Sequence, residues 1–299
     1  MFVVNPAAGS GRAKRVWPEF ENALSIHYET RFTDGSGHAT ELTKRALQDG
    51  IDTVVAVGGD GTLNEVLNGF FEDGELINPD ARLGMIPLGT GSDWARSSKR
   101  PAPEPATVDG WLQGSGRACD VGRVICVDGQ GRKVTRYFLN VADAGFGAEV
   151  AATTNRASKA LGPHVAYLSG LLKTLVRFKA RTMRLTADDT TREMTSVLVA
   201  AVAIGRYFGG GMQIAPEARL DDGLFDVVVI EGMTKPEIVF NLPRLYNGRI
   251  LEHPKVTCLR GQQVRIESDV ATRLEVDGEQ PGWLPATFTV LPQALNVIY

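Results

Sequence analysis

Long apolar runs are missing from this 299-residue sequence. No stretch approaches the roughly 20 residues that a helix needs to span a bilayer. The chain opens on a strand-like run, Phe2–Val4, without the charged region and apolar segment of a signal peptide. Cysteine is also scarce: Cys119, Cys126 and Cys258 are widely spaced and form no CxxC pair. This argues against a disulfide framework or a cysteine zinc site. Together these absences predict a cytoplasmic protein.

An excess of positive charge is absent as well. The formal net charge is −3, so no global field attracts nucleic acid, and any attraction to an anionic membrane has to be local. With 43% hydrophobic and 22% charged residues, the composition is that of a globular protein able to bury a full core. The length suggests two domains of ordinary size.

Two common nucleotide-binding motifs are also missing. The sequence contains no G-x-x-x-x-G-K-[ST], which excludes a P-loop NTPase, and no G-x-G-x-x-G after its first strand, which removes the dinucleotide fingerprint. Any nucleotide site must therefore be built in another way.

Four strand patterns in the first ~100 residues each end in a loop of small residues that leads toward a helix. The strands are predicted at Phe2–Val4, Tyr28–Phe32, Thr53–Val57 and Leu83–Pro87. This alternation predicts a doubly wound parallel sheet. The carboxyl ends of its strands lie on one edge, where ligands bind. The four loops are therefore expected to converge on one site.

The third of these loops, Gly58–Thr62, carries the strongest chemical signal. Its glycines let the backbone approach a phosphate, and the following helix N-terminus adds partial positive charge. Asp60 within the loop would repel a phosphate unless it faces Mg²⁺ or a positive group. Thr62, with Glu65 three residues later, predicts a capping box at the helix start. A plain turn is the alternative interpretation of the loop.

The composition changes after Pro101–Pro105. From Cys119 onward short strands and turns dominate, which predicts a mostly antiparallel β-sandwich. In this part of the chain, helices are expected only at Lys159–Phe178 and Lys235–Asn247. The predicted domains are residues 1–118, an α/β domain, and residues 119–285, the sandwich. Residues 286–299 are strand-like and are expected to return to the first domain.

Asp277 and Glu279 flank Gly278 near the C-terminus. In an extended backbone the two carboxylates would lie on the same side. In phosphoryl transfer one carboxylate can accept the proton of an attacking hydroxyl while another positions Mg²⁺. From the residues alone, a simple Asp-Gly turn is equally plausible.

These motifs resemble a known family. Gly58–Thr62 followed by Leu63-Asn64-Glu65 resembles the nucleotide loop that diacylglycerol, sphingosine and NAD kinases share. Asn5-Pro6 with Gly9, and Pro87–Arg96, resemble two further loops of the lipid kinases, although Ser92 stands where the family usually has Asn; its hydroxyl can still cap the following helix. Phe208–Met212 through Leu224, with Val276–Glu279, resembles the C-terminal domain of the soluble bacterial diacylglycerol kinases. The resemblance spans essentially the whole chain and implies an NAD kinase-like N-terminal fold.

The resemblance implies roles for individual residues. Glu279 would accept the proton, and Asp277 would be its partner in a network with Asp60. Backbone carbonyls flanking one carboxylate would form a structural Mg²⁺ site, with oxygen ligands that suit this ion. Its residues would be Arg219, Asp222 and Leu224, where a hairpin turn is the alternative. The ATP site would be lined by Asn5, Pro6, Gly9, Thr33, Gly58, Gly59, Asp60, Gly61, Thr62, Leu63, Asn64 and Thr90.

One signal comes from the sequence itself. Between Val150 and Ala187 there are seven basic residues and no Asp or Glu, beside leucines at near-helical spacing. This pattern predicts a face that meets an anionic membrane. A core-facing helix with a solvated basic flank explains it equally well. The basic residues are Arg156, Lys159, Lys173, Arg177, Lys179, Arg181 and Arg184.

The sequence therefore predicts an ATP- and Mg²⁺-dependent kinase that phosphorylates a lipid hydroxyl, with diacylglycerol converted to phosphatidic acid as the first candidate. A sphingoid base or another lipid is an alternative acceptor. A soluble NAD kinase, or a nucleotide-binding regulator without catalysis, would be a different function for the same fold. The expected partner is a lipid at the inner face of the membrane, without nucleic acid. The oligomeric state is open, with a homodimer as one option.

Overall fold

The structure is a computed structural model that describes residues 1–99, 102–156 and 174–298. The predicted alternation of strands and helices appears in the first hundred residues. Short 3₁₀ helices lie at Pro105–Thr107 and Ile250–Glu252, and residues 174–177 are helical. The helices are α1 (Ala8–Ala23), α2 (His38–Gln48), α3 (Asp60–Asn68), α4 (Asp93–Ser98), α5 (Val108–Gln113), α6 (Phe146–Arg156) and α7 (Lys235–Tyr246).

Strands alternate with helices in the first hundred residues and predominate from Arg117 onward. The strands are β1 (Phe2–Val4), β2 (Thr30–Phe32), β3 (Thr53–Gly58), β4 (Phe71–Glu72), β5 (Glu75–Leu76), β6 (Arg82–Pro87), β7 (Arg117–Val127), β8 (Lys133–Phe138), β9 (Val141–Gly145), β10 (Arg181–Ala187), β11 (Thr190–Ala203), β12 (Tyr207–Phe208), β13 (Met212–Gln213), β14 (Phe225–Glu231), β15 (Val256–Gly261), β16 (Gln263–Ser268), β17 (Arg273–Val276) and β18 (Glu279–Ile298).

The N-terminal part is a parallel sheet in the order β6-β3-β1-β2. Neighbouring residues of its strands face opposite sides of the sheet. Val3 and Val54 belong to a core shared with α2 and α3, whereas Phe2 and Val55 pack with Trp17 of α1. Helices therefore cover both faces, which confirms the predicted doubly wound α/β architecture.

The C-terminal part is antiparallel, which confirms the second half of the fold prediction. β11 is its central strand and pairs with β9, β10 and β14. The long strand β18 pairs with β7, β16 and β17, and its residues Asn296–Ile298 then pair in parallel with Arg82–Gly84 of β6. β18 thus joins the two parts into one 14-stranded sheet. The boundary at residue 118 remains a prediction.

Two expected helix caps are wrong. α3 begins at Asp60, because Gly59 is the residue with extended, cap-like backbone angles (φ −103°, ψ −172°). Thr62 lies inside the helix, and Glu65 accepts a bond from the backbone N–H of Ala39 at the start of α2. Ser92 precedes α4 with φ +53° and makes no side-chain capping bond. Another side chain caps α4, as described below.

Several elements differ from the sequence prediction. The sequence pattern at Arg136–Val141 predicts one strand, but β8 ends at Phe138 and β9 begins at Val141. α6 was not among the expected helices. The predicted helix Lys159–Phe178 lies largely outside the described residues. In the described part of the chain, no helix is long and apolar enough to cross a membrane.

Candidate active site

The four predicted loops converge on one cleft of about 830 Å³ at the carboxyl edge of the parallel strands. This confirms the expectation that they form a single site. The Asp277–Glu279 segment enters the same cleft from the C-terminal part of the chain. The predicted residues that line it are Asn5, Pro6, Gly9, Thr33, Gly59, Asp60, Gly61, Thr62, Thr90, Asp277 and Glu279.

Contacts between the loops leave no room for side chains at two glycines. A Cβ at Gly9, where φ is +59°, would lie 2.3 Å from the carbonyl oxygen of Leu88. A Cβ at Gly89 would lie 2.4 Å from the Cα of Gly59. Asn5 joins the first loop to the third, because its Nδ2 donates to the Thr62 hydroxyl at 3.0 Å. The cleft floor is therefore bare backbone, able to approach a phosphate closely.

The Asp60 carboxylate faces the N-terminus of α4, where a helix carries partial positive charge. Its two carboxylate oxygens accept the backbone N–H groups of Asp93 and Trp94, at 3.0 and 3.1 Å, in the first turn of α4. Asp60 is thus the cap that Ser92 was expected to supply. The bond links the third and fourth loops and holds the carboxylate at the edge of the cleft.

Asp277 and Gly278 form a tight turn between β17 and β18, with φ of +48° and +92°. Positive φ at both central residues is typical of a type I′ hairpin turn. Of the two interpretations left open, the Asp-Gly turn describes this backbone, so strand alternation does not place the two carboxylates. The carboxylate of Asp277 accepts the backbone N–H groups of Leu139 and Val141, each at 3.0 Å. Burial raises the pKa of Asp277 to about 6 against these bonds.

Glu279 stands where the nucleotide cleft meets a second cleft of about 760 Å³. It and Glu65 line both clefts. Partial desolvation and repulsion from Glu65 raise the pKa of Glu279, and Arg136 opposes the shift. A carboxylate with a raised pKa is a stronger proton acceptor, as a general base requires.

Three predicted residues do not line the nucleotide cleft. Gly58 is the last residue of β3, and its carbonyl accepts the backbone N–H groups of Leu88 and Gly89. Leu63 is buried in the core. Asn64 lies on the second cleft and donates to a carboxylate oxygen of Asp277 at 3.3 Å. These residues support the site from behind.

Asp93 has a structural role that the sequence left open. Its carboxylate accepts the backbone N–H of Gly210 at 2.7 Å and pairs with Arg96 at 2.8 Å. Gly210 belongs to the Phe208–Met212 segment, so this bond ties the fourth loop to the C-terminal part of the chain. Burial and the Asp60 carboxylate raise the pKa of Asp93.

A buried pair of carboxyl groups behind the Asp277 turn was missed. Asp143 of β9 and Glu275 of β17 lie opposite each other in the ladder, and Glu275 accepts the backbone N–H of Gly278. Burial and the Asp143 carboxyl raise the pKa of Glu275 well above its usual range. Glu275, Asp277 and Glu279 alternate along the sequence, which was an available signal.

The residues expected to bind a structural Mg²⁺ lie on the loop before β14. The carboxylate of Asp222 pairs with Arg260, and the backbone N–H of Leu224 bonds to it at 3.3 Å. Asp226 also approaches Arg260, at 3.5 Å, and its other carboxylate oxygen is buried without a hydrogen-bond partner among the described residues. The two carboxylates outnumber this arginine, but the described residues contain no group of three or more His, Cys, Asp or Glu side chains arranged to hold a metal ion. The Mg²⁺ site of Arg219, Asp222 and Leu224 therefore stays a prediction.

Comparison with known proteins identifies the family. The model of the diacylglycerol kinase catalytic domain matches residues 1–124, and that of the YegS C-terminal NAD kinase beta sandwich-like domain matches residues 140–299. A diacylglycerol kinase of Staphylococcus epidermidis is 31% identical over 99% of this chain and 90% of its own length. One from Staphylococcus aureus is 30% identical with the same coverage. The chain belongs to the diacylglycerol kinase family.

Solved structures agree on the fold of this diacylglycerol kinase family member. A Bacillus anthracis protein described as a candidate diacylglycerol kinase matches with a TM-score of 0.76 at 23% identity, covering all of this chain and 94% of its own. Yeast NADH kinase matches with a TM-score of 0.56 at 10% identity, covering 99% of this chain and 81% of its own. The NAD kinase-like fold is thereby confirmed, and family membership makes the chain a kinase of the lipid kinase class.

In this family member, Glu275→Gln is expected to make stability less dependent on pH. When the pKa of a carboxyl group is higher in the folded than in the unfolded state, its protonation stabilises the fold. This stability is fully present below the unfolded pKa of about 4.5 and is lost as the pH rises through the folded pKa. Gln imitates the protonated acid, so the variant should exceed wild type in unfolding free energy at pH 8, and the difference should be smaller at pH 5. Urea unfolding at pH 5 and pH 8 measures this, with exposed Glu193→Gln as control. An equal pH dependence in Glu275→Gln and wild type would refute it.

A second expectation concerns the proposed Mg²⁺ site. If Asp222 binds the ion, added Mg²⁺ should raise the Tm of the wild type. At 100 times the Kd, the ion should add about 2.7 kcal/mol to the free energy of unfolding. Asp222→Ala should abolish this response, whereas the exposed neighbour variant Asp221→Ala should keep it. Thermal melts with Mg²⁺ and with EDTA measure the effect. If the Tm of the wild type is the same with Mg²⁺ and with EDTA, only the hairpin-turn interpretation of this segment remains.

Proposed function

We propose that this protein transfers the γ-phosphoryl group of ATP to the hydroxyl of a lipid, with diacylglycerol as the acceptor and phosphatidic acid as the product. The observation that carries the proposal is the position of Glu279 at the junction of two clefts. A base at this junction can reach both a nucleotide phosphate in one cleft and an acceptor hydroxyl in the other.

The nucleotide cleft suits a polyphosphate. Its floor is glycine backbone, and the N-terminus of α3 directs partial positive charge toward it. Asn5, Gly9, Thr33 and Thr90 surround this floor. Mg²⁺ bound with the nucleotide would neutralise charge on the phosphates. Asp60, the carboxylate of the phosphate loop, would help to hold that ion.

The second cleft suits a polar headgroup. Two arginine side chains, those of Arg123 and Arg136, are part of its lining. A guanidinium group carries several N–H donors that can bind the oxygens of a ligand. Glycerol and ester oxygens of a lipid headgroup are acceptors of this kind.

The reaction then needs one proton transfer. The Glu279 carboxylate accepts the proton of the lipid hydroxyl as its oxygen bonds to the γ-phosphorus. The bond from that phosphorus to the β–γ bridging oxygen breaks, and ADP leaves. Positioning and charge stabilisation by the loops supply the remaining catalysis.

ATP turnover with different acceptors tests the proposal. ADP should form rapidly only when ATP and Mg²⁺ are supplied with diacylglycerol in micelles. Turnover with NAD and without lipid would establish the soluble NAD kinase alternative. An absence of turnover with every acceptor, together with ATP binding, would establish a nucleotide-binding regulator.

A further inference from the structure

Helix α7 is apolar on both of its sides. Ile238, Leu242 and Leu245 face inward and belong to the core beneath the helix. The exposed positions of the opposite side are almost all apolar as well. We name this side the α7 face; it comprises Pro236, Val239, Phe240, Pro243 and Tyr246. A surface helix of a globular protein normally carries polar residues on the side opposite the core.

The exposure of this face is large. Phe240 is 82% exposed, Tyr246 55% and Val239 46%. Val176, 71% exposed, is adjacent, since Lys235 at the start of α7 donates to its carbonyl. Four of the seven exposed large hydrophobic residues among the described ones therefore gather here. Contiguous exposed apolar surface of this kind marks an interaction site.

Three cations lie at the N-terminal end of the α7 face. Lys235 is at the start of the helix, and Arg177 and Lys179 follow Val176. The acid nearest to them on the helix, Glu237, is paired with Lys255 at 2.8 Å. In a chain of net charge −3 this local positive cluster is complementary to anionic headgroups.

We propose that the α7 face is the surface by which this protein docks on an anionic lipid bilayer, with Phe240 and Val239 entering the interface and Lys235, Arg177 and Lys179 binding headgroups. The inference rests on the proposed lipid acceptor, which the enzyme must collect from a membrane. A second copy of the chain is the competing occupant of this face, and the experiment below distinguishes it from a bilayer.

Arg177 and Lys179 belong to the basic stretch between Val150 and Ala187 that the sequence singled out. Arg156, Lys159 and Lys173 of that stretch have side chains outside the described residues. Of the four described basic residues of the stretch, Arg177 and Lys179 adjoin the α7 face, whereas Arg181 pairs with Glu149 and Arg184 with Glu193. The basic residues and the apolar α7 face therefore lie side by side on the surface.

Sedimentation with phosphatidylcholine vesicles, with and without 30% phosphatidylglycerol, tests the proposal on the full chain. Wild type should bind the anionic vesicles, and added salt should weaken the binding. Val239→Ser with Phe240→Ser should reduce the partition coefficient at least about tenfold. Lys235→Gln, Arg177→Gln and Lys179→Gln together should reduce it roughly tens- to a hundredfold at low salt. Phe240→Leu should keep most of the binding.

The control is Ile125→Ser, another exposed apolar residue on a distant strand, which should bind as wild type does. Turnover of a short-chain, water-soluble diacylglycerol should be unchanged in every variant. Vesicle binding requires no catalysis, so a failure of docking is distinguishable from a failure of the proposed reaction. Equal binding by wild type and the double serine variant would overturn the proposal. So would a wild-type dimer that this variant converts to a monomer.

Discussion

Glu279→Gln should lower kcat by roughly 10²-fold or more, with little change in the affinity for ATP. Gln keeps the shape of the side chain but cannot accept the proton of the acceptor hydroxyl, and a positioned base contributes about 10²–10⁴-fold. Because the loss falls on the chemical step, kcat and kcat/KM should decrease together. Steady-state kinetics and ATP binding by calorimetry measure both quantities.

The pH profile gives this prediction a second readout. Since the base must be ionised, kcat/KM of the wild type should fall as the pH decreases through the raised pKa of Glu279. Glu65→Gln removes the carboxylate that repels Glu279 and should move this limb to lower pH. If Asp277→Asn folds and proves more damaging to kcat than Glu279→Gln, the roles of the two carboxylates are reversed.

Asp277→Ala should destabilise the protein by at least about 4 kcal/mol. The substitution leaves the backbone N–H groups of Leu139, Asn140 and Val141 without their acceptor, at about 1–3 kcal/mol for each buried donor. It also places Ala at φ +48°, which costs about 1–2 kcal/mol. Because this turn also carries Glu279, activity should fall with stability. Urea unfolding measures the free-energy change.

Two matched variants separate these causes. Gly at position 277 tolerates the positive φ but lacks the carboxylate. Asp277→Gly should therefore be more stable than Asp277→Ala only by the backbone contribution. Asp73→Ala changes an exposed aspartate at φ +51° and should cost only about 1–2 kcal/mol. An Asp277→Ala variant no less stable than Asp73→Ala would show that the bonds to Leu139–Val141 contribute nothing.

The sequence predicted the position of the site better than the bonds that hold it. Strand ends and glycines follow local rules, so the convergence of the four loops could be predicted from their spacing. The capping of α4 could not, because Asp60 reaches it from 33 residues away. The same holds for Asp93 and Gly210, which are 117 residues apart. Local capping rules gave Thr62 and Ser92 these roles, and tertiary contacts replaced them.

The Asp277 turn shows a different limit. Both interpretations of Asp277-Gly278-Glu279 apply, since the segment is an Asp-Gly hairpin turn and also lines the nucleotide cleft. Its burial depends on β9, a strand that the sequence prediction merged with β8. Without β9, neither the N–H groups that bond Asp277 nor the Asp143–Glu275 pair could be anticipated. Composition likewise gave no sign that the outward side of α7 would be left exposed.

Transfer of label from γ-phosphate-labelled ATP to diacylglycerol tests the central claim most directly. Wild-type protein, Mg²⁺ and diacylglycerol in mixed micelles should yield labelled phosphatidic acid, identified by mass spectrometry, and Glu279→Gln should yield roughly a hundredth as much or less. A sphingoid base and NAD in parallel reactions define the acceptor. Label found only in inorganic phosphate, or in NAD with none in any lipid, would contradict the account.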